Sequence, residues 1–342
     1  MDTINQSNET KQNNSHPMIS VVTCTYNSEA FLEKALQSVE DQSYQHIEHV
    51  INDSYSTDRT MEIIEKYIAR NKDRYPIKLI TTKPQGVANA LNLATEEACG
   101  EIIHYLHSDD YYDSPDALEK AVSYFSAKPE LVWLTGNFFV EIKGEKIIIP
   151  HTHLLKIRPA KAISVMNIIH HENTFMKREA VTAYGGFCED KNMNVEYRMW
   201  LRLIQEHEPL VVNDQFTVFI IHQGSTSTGN IIQFSKSILR AFNTLQQEKV
   251  FPFIGYYEDT ELYENYKIIV ERVQKFMSAI RSLDIATLPK SSLNFFKDRE
   301  DQPNCSTTSL FLNQILYLWR HYFNLTQKNE NNWPISSGRL PK

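Results

Sequence analysis

The stretch His107-Ser108-Asp109-Asp110 places two adjacent carboxylates directly after Ile102-Ile103-His104-Tyr105-Leu106, an apolar run of strand length. Carboxylate oxygens are ligands for hard divalent cations, and a cation held there would in turn hold a diphosphate. Ligands of open α/β sheets bind at the carboxyl ends of the strands, which is where this pair falls. An Asp-Asp pair alone is more often a solvated turn, so the other strand ends must decide. Two of them are polar in the same way. Ile19-Ser20-Val21-Val22-Thr23-Cys24-Thr25 runs into Tyr26-Asn27-Ser28, and Ile47-Glu48-His49-Val50-Ile51 delivers Asn52-Asp53. Thr25, Tyr26, Asn27, Asp53, Asp109 and Asp110 therefore converge on one rim, a nucleotide pocket built from side chains. Neither a glycine-rich dinucleotide fingerprint nor a Walker loop is present to build it from backbone instead.

Strands and helices in alternation must position this rim. Phe31, Leu32, Ala35, Leu36 and Val39 repeat at helical spacing behind Asn27 or Ser28, either of which suits an N-cap. Met61, Ile64, Tyr67 and Ile68 mark a second helix, and residues 77–81 a third strand. Gly86 opens a helix carrying Val87, Ala90, Leu91, Ala94 and Ala98, with Gly100 expected as its C-terminal cap. Ser114-Pro115-Asp116 reads as a cap with proline at the first helical position, ahead of Leu118, Val122 and Phe125. Strict alternation demands a parallel sheet with right-handed crossovers. From Leu131 the pattern changes to neighbouring short strands: 131–135, 138–142, a turn at Lys143-Gly144, and 147–149. The second half of the sheet is therefore expected to be mixed. His170-His171-Glu172-Asn173-Thr174-Phe175 leads to a short helix ending at Gly185-Gly186-Phe187. Tyr197, Trp200, Leu201 and Ile204 then line one helix face, with Glu196 in the first turn, where the helix dipole favours a carboxylate. Strands at 210–212 and 216–221 end at His222.

Bulk properties bound the class. The chain has 342 residues, 42% of them hydrophobic and 23% charged, with 35 basic and 42 acidic side chains for a net charge of −7. No dense Lys/Arg cluster is present, which argues against nucleic acid as a partner. Cys24, Cys99, Cys188 and Cys305 are scattered and read as reduced thiols of a cytoplasmic protein. Residues 1–17 read as a disordered polar tail without a signal-peptide core, 18–228 as the α/β domain, and 229–289 as a helical extension. Residues 290–308 read as a linker and 309–342 as an apolar helix with a tail. Leu310 to Leu325 falls short of the ~18 uninterrupted apolar residues of a membrane span. A helix docked on its own core or in a homodimer seam is favoured over peripheral membrane attachment.

With these pieces in place, residues 18–228 resemble the family-2 inverting glycosyltransferases of GT-A fold, in particular the bacterial enzymes that build surface polysaccharides. Val21-Val22-Thr23-Cys24-Thr25-Tyr26-Asn27 matches the family's opening strand and T-Y-N turn, and 52–60 (Asn52-Asp53-Ser54-Tyr55-Ser56-Thr57-Asp58-Arg59-Thr60) matches its D-G-G-S-T-D-G-T segment. Gly86-Val87-Ala88-Asn89-Ala90-Leu91-Asn92 matches G-I-x-D-A-M-N. Gly100-Glu101-Ile102-Ile103 with Leu106-His107-Ser108-Asp109-Asp110 matches G-E-x-I and L-N-S-D-D. Gly185-Gly186-Phe187 followed by Glu196-Tyr197-Arg198-Met199-Trp200-Leu201-Arg202 matches G-G-F then D-Y-x-x-W-L-R. Each piece is weak alone; their order and spacing together are specific.

The resemblance implies a Rossmann-like, mostly parallel sheet flanked by helices, and transfer of a sugar from a nucleotide-sugar donor, UDP-linked by expectation, to a polysaccharide or lipid-linked acceptor. It implies that Thr25, Tyr26 and Asp53 hold base and ribose, with Asn27, Tyr55, Gly86, Asn89 and Asn92 in the same pocket. Asp109 is expected at the ribose or the metal shell, Asp110 on Mg²⁺ or Mn²⁺, and His222 as a further metal or diphosphate ligand beside its plainer reading as a packing residue. Glu196 matches the general base that takes the acceptor's proton, and a single carboxylate there gives inversion. The chain departs from the family where Ser54 and Tyr55 replace two glycines, Asn89 an acidic residue and Glu196 an aspartate. Those departures keep open a second reading, a catalytically silent relative that binds nucleotide or glycan and scaffolds an assembly.

Overall fold

The computed structural model describes residues 16–142, 144–149, 159, 163, 169–189 and 195–222. The chain divides into two units, Met1–Val250 and Phe251–Lys342, and every described residue lies in the first. The expected polar tail up to residue 15, the helical extension, the linker and the Leu310–Leu325 helix lie outside the described residues.

The elements run β1 (Ile19–Thr25), α1 (Leu32–Glu40), β2 (Ile47–Asp53), α2 (Thr60–Asn71), β3 (Ile77–Thr81), α3 (Val87–Glu97), β4 (Ile102–Tyr105), β5 (Tyr111–Tyr112) and α4 (Ala117–Ala127). They continue with β6 (Trp133–Ile142), β7 (Glu145–Ile149), a 3₁₀ turn at His171–Asn173, β8 (Thr174–Lys177), α5 (Arg178–Ala183), α6 (Tyr197–Leu203) and β9 (Leu210–Ile221). One sheet holds them all in the order β3-β2-β1-β4-β8-β6-β9-β5, with β7 paired to β6. β1, β2, β3 and β4 are parallel, as the alternation demands, whereas β8 enters antiparallel beside β4 and makes the second half mixed. All seven residues of β2 are buried, as expected of a strand covered on both faces. The apolar stripe Leu32, Ala35, Leu36 and Val39 of α1 is buried, as are Leu118, Ala121, Val122 and Phe125 of α4.

Several local expectations are corrected. α1 starts at Leu32 with no side-chain cap, because Ser28 Oγ is engaged by the backbone N–H of Tyr26 (3.2 Å) and by Ser108 Oγ (2.9 Å). α4 starts at Ala117, after Pro115 rather than at it, and Ser114 Oγ donates to Asp116 instead of accepting from a helix N–H. The two stretches at 131–135 and 138–142 form one strand with an irregularity around Asn137, and those at 210–212 and 216–221 likewise merge into β9.

Gly100 is not the cap of α3, which ends at Glu97. Its role is close approach: a Cβ there would lie 2.6 Å from the Ser20 backbone nitrogen and 2.8 Å from Met18 O. Gly100→Ala must push the chain off β1, and is expected to cost roughly 1–3 kcal/mol, read as a lower urea midpoint at unchanged slope. Gly100 also lends its N–H to Glu48, a buried carboxylate that accepts from Ser20 Oγ at 2.6 Å and pairs with Lys78 at 3.2 Å. Burial pushes the Glu48 pKa up, but the hydrogen bonds from Ser20 and Cys99 and the Lys78 ammonium outweigh it and hold the carboxyl below its usual range.

Two strand histidines are sealed in. His49 lies between Tyr67 Oη (2.7 Å) and Thr23 Oγ1 (3.0 Å), and His104 between Tyr112 Oη (2.8 Å) and Glu172 O (2.9 Å). Burial pushes both imidazoles down to about 3 from an ordinary 6.5. The unfolded chain takes up these protons below about pH 6.5, while the folded chain refuses them until about pH 3. Stability from these two groups is therefore intact above that window and declines as pH falls through it. Melting temperature measured from neutral pH downward is expected to fall, with a shallower slope in His49→Gln.

Candidate functional site

The carboxyl ends of β1, β2 and β4 are stitched together by their own polar side chains. Asp53, fully buried at the end of β2, accepts at Oδ1 from Thr25 Oγ1 (2.8 Å) and Ser56 Oγ (2.6 Å), and at Oδ2 from the Ser56 N–H (2.9 Å). Asn27 Oδ1 accepts from the Thr57 N–H at 2.8 Å, and the Ser28–Ser108 contact joins the β1 end to the β4 end. Asn27 and Tyr55 both adopt left-handed backbone, φ 50° and 55°, a strained state for non-glycine residues that the surrounding bonds maintain. The result is exposure: Tyr26 is 59% and Tyr55 56% accessible, two aromatic faces left to solvent beside a polar rim.

Asp109, Asp110 and His222 come together after the loop that follows β4. His222 Nε2 lies 2.9 Å from Asp109 Oδ2 although 113 residues separate them, because β9 returns to this edge. The Phe31 ring packs against His222 with centroids 4.2 Å apart and the planes tilted by 31°. Asp110 is 1% exposed; its Oδ1 accepts from the Ile220 N–H at 3.0 Å, and among the described residues its Oδ2 has no partner. Burial, with the charges of Glu172 and Asp109 behind it, pushes the Asp110 carboxyl well above the usual range. Glu48, at the opposite edge, shows what a satisfied buried carboxylate looks like in this chain. An orphaned carboxylate oxygen behind an aspartate–imidazole pair is a donor set that fits a divalent cation.

Other expected pocket residues are occupied differently. The Asn92 amide is engaged on both sides: Oδ1 accepts from the Phe187 N–H (2.8 Å), and Nδ2 donates to Phe187 O (3.0 Å) and Glu189 Oε1 (3.1 Å). Asn89 donates to the same Glu189 oxygen at 3.3 Å, so both asparagines tie α3 to Glu189, and Asn92 ties it to Phe187 as well. Gly86, φ 111°, turns the chain into α3, with open space where a Cβ would stand. Glu196 is the residue before α6, its carbonyl accepting from the Met199 and Trp200 N–H groups. Its Oε2 stands 3.9 Å from His171 Nδ1. His107, His171 and Glu172 join the same region, a grouping sequence reasoning did not assign; the polar run 170–173 just ahead of a buried strand was the signal that pointed there.

A parallel half-sheet with a polar rim, joined through an acidic loop to a mixed half that returns a histidine and a carboxylate at a helix start, is the architecture of the GT-A class of glycosyltransferase domain. Residues 20–185 match the profile described as Glycosyl transferase family 2; Glu196 and His222 lie beyond the matched residues. An uncharacterized glycosyltransferase of Haemophilus influenzae is 38% identical over 132 residues, 38% of this chain and 51% of that one. The poly(ribitol-phosphate) beta-N-acetylglucosaminyltransferase TarS of Staphylococcus aureus is 35% identical over 107 residues, 31% of this chain and 18% of its own. A crystal structure of TarS 1–349 with UDP-GlcNAc aligns at TM-score 0.50 and 20% identity over 61% of this chain and 60% of that one. The mannosyltransferase PcManGT from Pyrobaculum calidifontis, in complex with GDP-Man and Mn²⁺, aligns at TM-score 0.60 and 20% identity over 92% of this chain and 84% of that one. These structural likenesses establish the fold. The chain spans about half the length, or less, of these curated relatives. Among the described residues no helix is long and apolar enough to cross a membrane.

Proposed function

We propose that this protein transfers a sugar, with inversion, from a nucleoside diphosphate donor to a hydroxyl of a polysaccharide or lipid-linked acceptor, and that it works in the cytoplasm. The observation that carries this reading is the convergence of Asp109 and His222 at 2.9 Å on the rim that also bears Thr25, Asp53 and the exposed Tyr26 and Tyr55. Asp109 and His222, with Asp110 behind them, hold Mg²⁺ or Mn²⁺. When bound, the cation offsets the negative charge that develops on the departing diphosphate. Tyr26 and Tyr55 offer aromatic surface to the base, while Thr25 and Asp53 set the floor on which base and ribose rest. Glu196 takes the proton of the attacking hydroxyl as the new glycosidic bond forms on the face opposite the diphosphate. UDP is the nucleotide this reading favours, supported by the family relative TarS, whose complex holds UDP-GlcNAc.

Calorimetric titration of the full chain with UDP, GDP and TDP, with and without Mn²⁺, tests the donor site. Manganese-dependent binding of UDP, above the other two, is the expected result. A folded protein that binds no nucleotide would instead support the silent scaffold.

A further inference from the structure

His107, His171 and Glu172 form a cluster that the sugar-transfer reading does not use. Antiparallel pairing of β4 with β8, His104 opposite Phe175, sets the carboxyl end of β4 beside the 3₁₀ turn that precedes β8. His107 therefore faces His171 and Glu172 across that junction. The two Nε2 atoms lie 2.5 Å apart with the rings near perpendicular at 79°. Glu172 Oε1 stands 3.5 Å from His107 Nε2 and 3.9 Å from His171 Nε2. The three ligand atoms lie within 4.8 Å of one another, and the side chains are 19%, 10% and 9% exposed, so the group is shielded and open on the His107 side.

Two imidazole nitrogens pointed at each other at this distance leave room for one hydrogen between them; a cation that both lone pairs share requires them to move apart. A carboxylate oxygen aimed at the same point favours the cation. Zinc takes ligands at about 2.0–2.2 Å, which places neighbouring ligand atoms roughly 3.3 Å apart. The carboxylate distances are near that separation already, and the imidazoles need to part by under about an ångström. The turn itself is held from outside: Glu172 O accepts from Thr217 Oγ1 (2.9 Å) and Asn173 Oδ1 from the Thr217 N–H (3.2 Å). Two nitrogens and one carboxylate oxygen suit borderline ions such as zinc(II) and cobalt(II), whereas Mg²⁺ and Mn²⁺ favour oxygen sets. The far nitrogen of His171 lies 3.9 Å from the Glu196 carboxylate, longer than a hydrogen bond.

We propose that His107, His171 and Glu172 form a second cation site, selective for a borderline transition ion and distinct from the Asp109–His222 pair. The proposal stands whether or not the chain transfers sugar. Metal-stripped full chain is titrated with Co²⁺ in excess Mg²⁺, following visible ligand-field absorption. One saturating equivalent is expected, kept in the Asp109→Asn, His222→Ala double variant and lost in Glu172→Gln. His107→Asn, at the most exposed ligand, must lose it as well and decides the matter if Glu172→Gln does not fold. No ligand-field band in the wild type, a band that survives His107→Asn, or one that disappears with Asp109 and His222 would each overturn the site.

Discussion

Glu196→Gln is expected to lower the rate of sugar transfer by about 10²–10⁴-fold while leaving nucleotide affinity unchanged. The exchange keeps shape and removes only the ability to take a proton. Position makes the effect large, because Glu196 leads into a helix packed on the core. Trp200 of α6 stacks on Trp133 at 5.3 Å with the rings 4° from parallel, and Tyr197 Oη donates to Ile163 O at 2.8 Å. The carboxylate is 14% exposed, enough to meet a substrate hydroxyl and too little for bulk water to replace it freely. Initial rates with saturating donor, set beside calorimetric affinity for the nucleotide, separate the two effects. Undiminished turnover in Glu196→Gln would remove this residue from the chemistry and point to another acceptor of the proton.

Asp109→Asn is expected to abolish the manganese dependence of nucleotide binding and to lower transfer by about 10²–10³-fold, the scale for losing one preorganised electrostatic contact to developing charge. The amide retains an oxygen but not the charge, so His222 at 2.9 Å no longer has an anionic partner with which to share a cation. Wild-type activity should collapse on chelation, whereas the residual activity of the variant should not change further. Equal sensitivity of the two proteins to chelator would place the metal elsewhere.

The domain's class was legible in the sequence because its signals are local. Helical and strand periods in alternation dictate parallel pairing through β4, and an apolar run followed by Asp109-Asp110 puts carboxylates at a strand end wherever the chain goes. The change of pattern after Leu131 likewise announced the mixed half. Caps were the local signals that failed. Ser28 had the right chemistry to cap α1, but a strand end 80 residues away offered Ser108 as its partner. A single side-chain oxygen serves whichever donor or acceptor tertiary packing brings nearest.

Side-chain pairing belongs to the tertiary structure alone. That His222 meets Asp109, that Asp110 is sealed behind them on Ile220, and that Asn92 is spent on Phe187 all depend on how β9 and the 185–187 segment return to the β4 edge. His107 and His171, 64 residues apart, touch only because β8 runs antiparallel to β4 and reverses the direction of the sheet at that point. Residue order sets which elements form, since their periods depend on near neighbours. Which oxygen or nitrogen is left for a ligand depends on contacts between distant strands, and those exist only once the sheet is assembled.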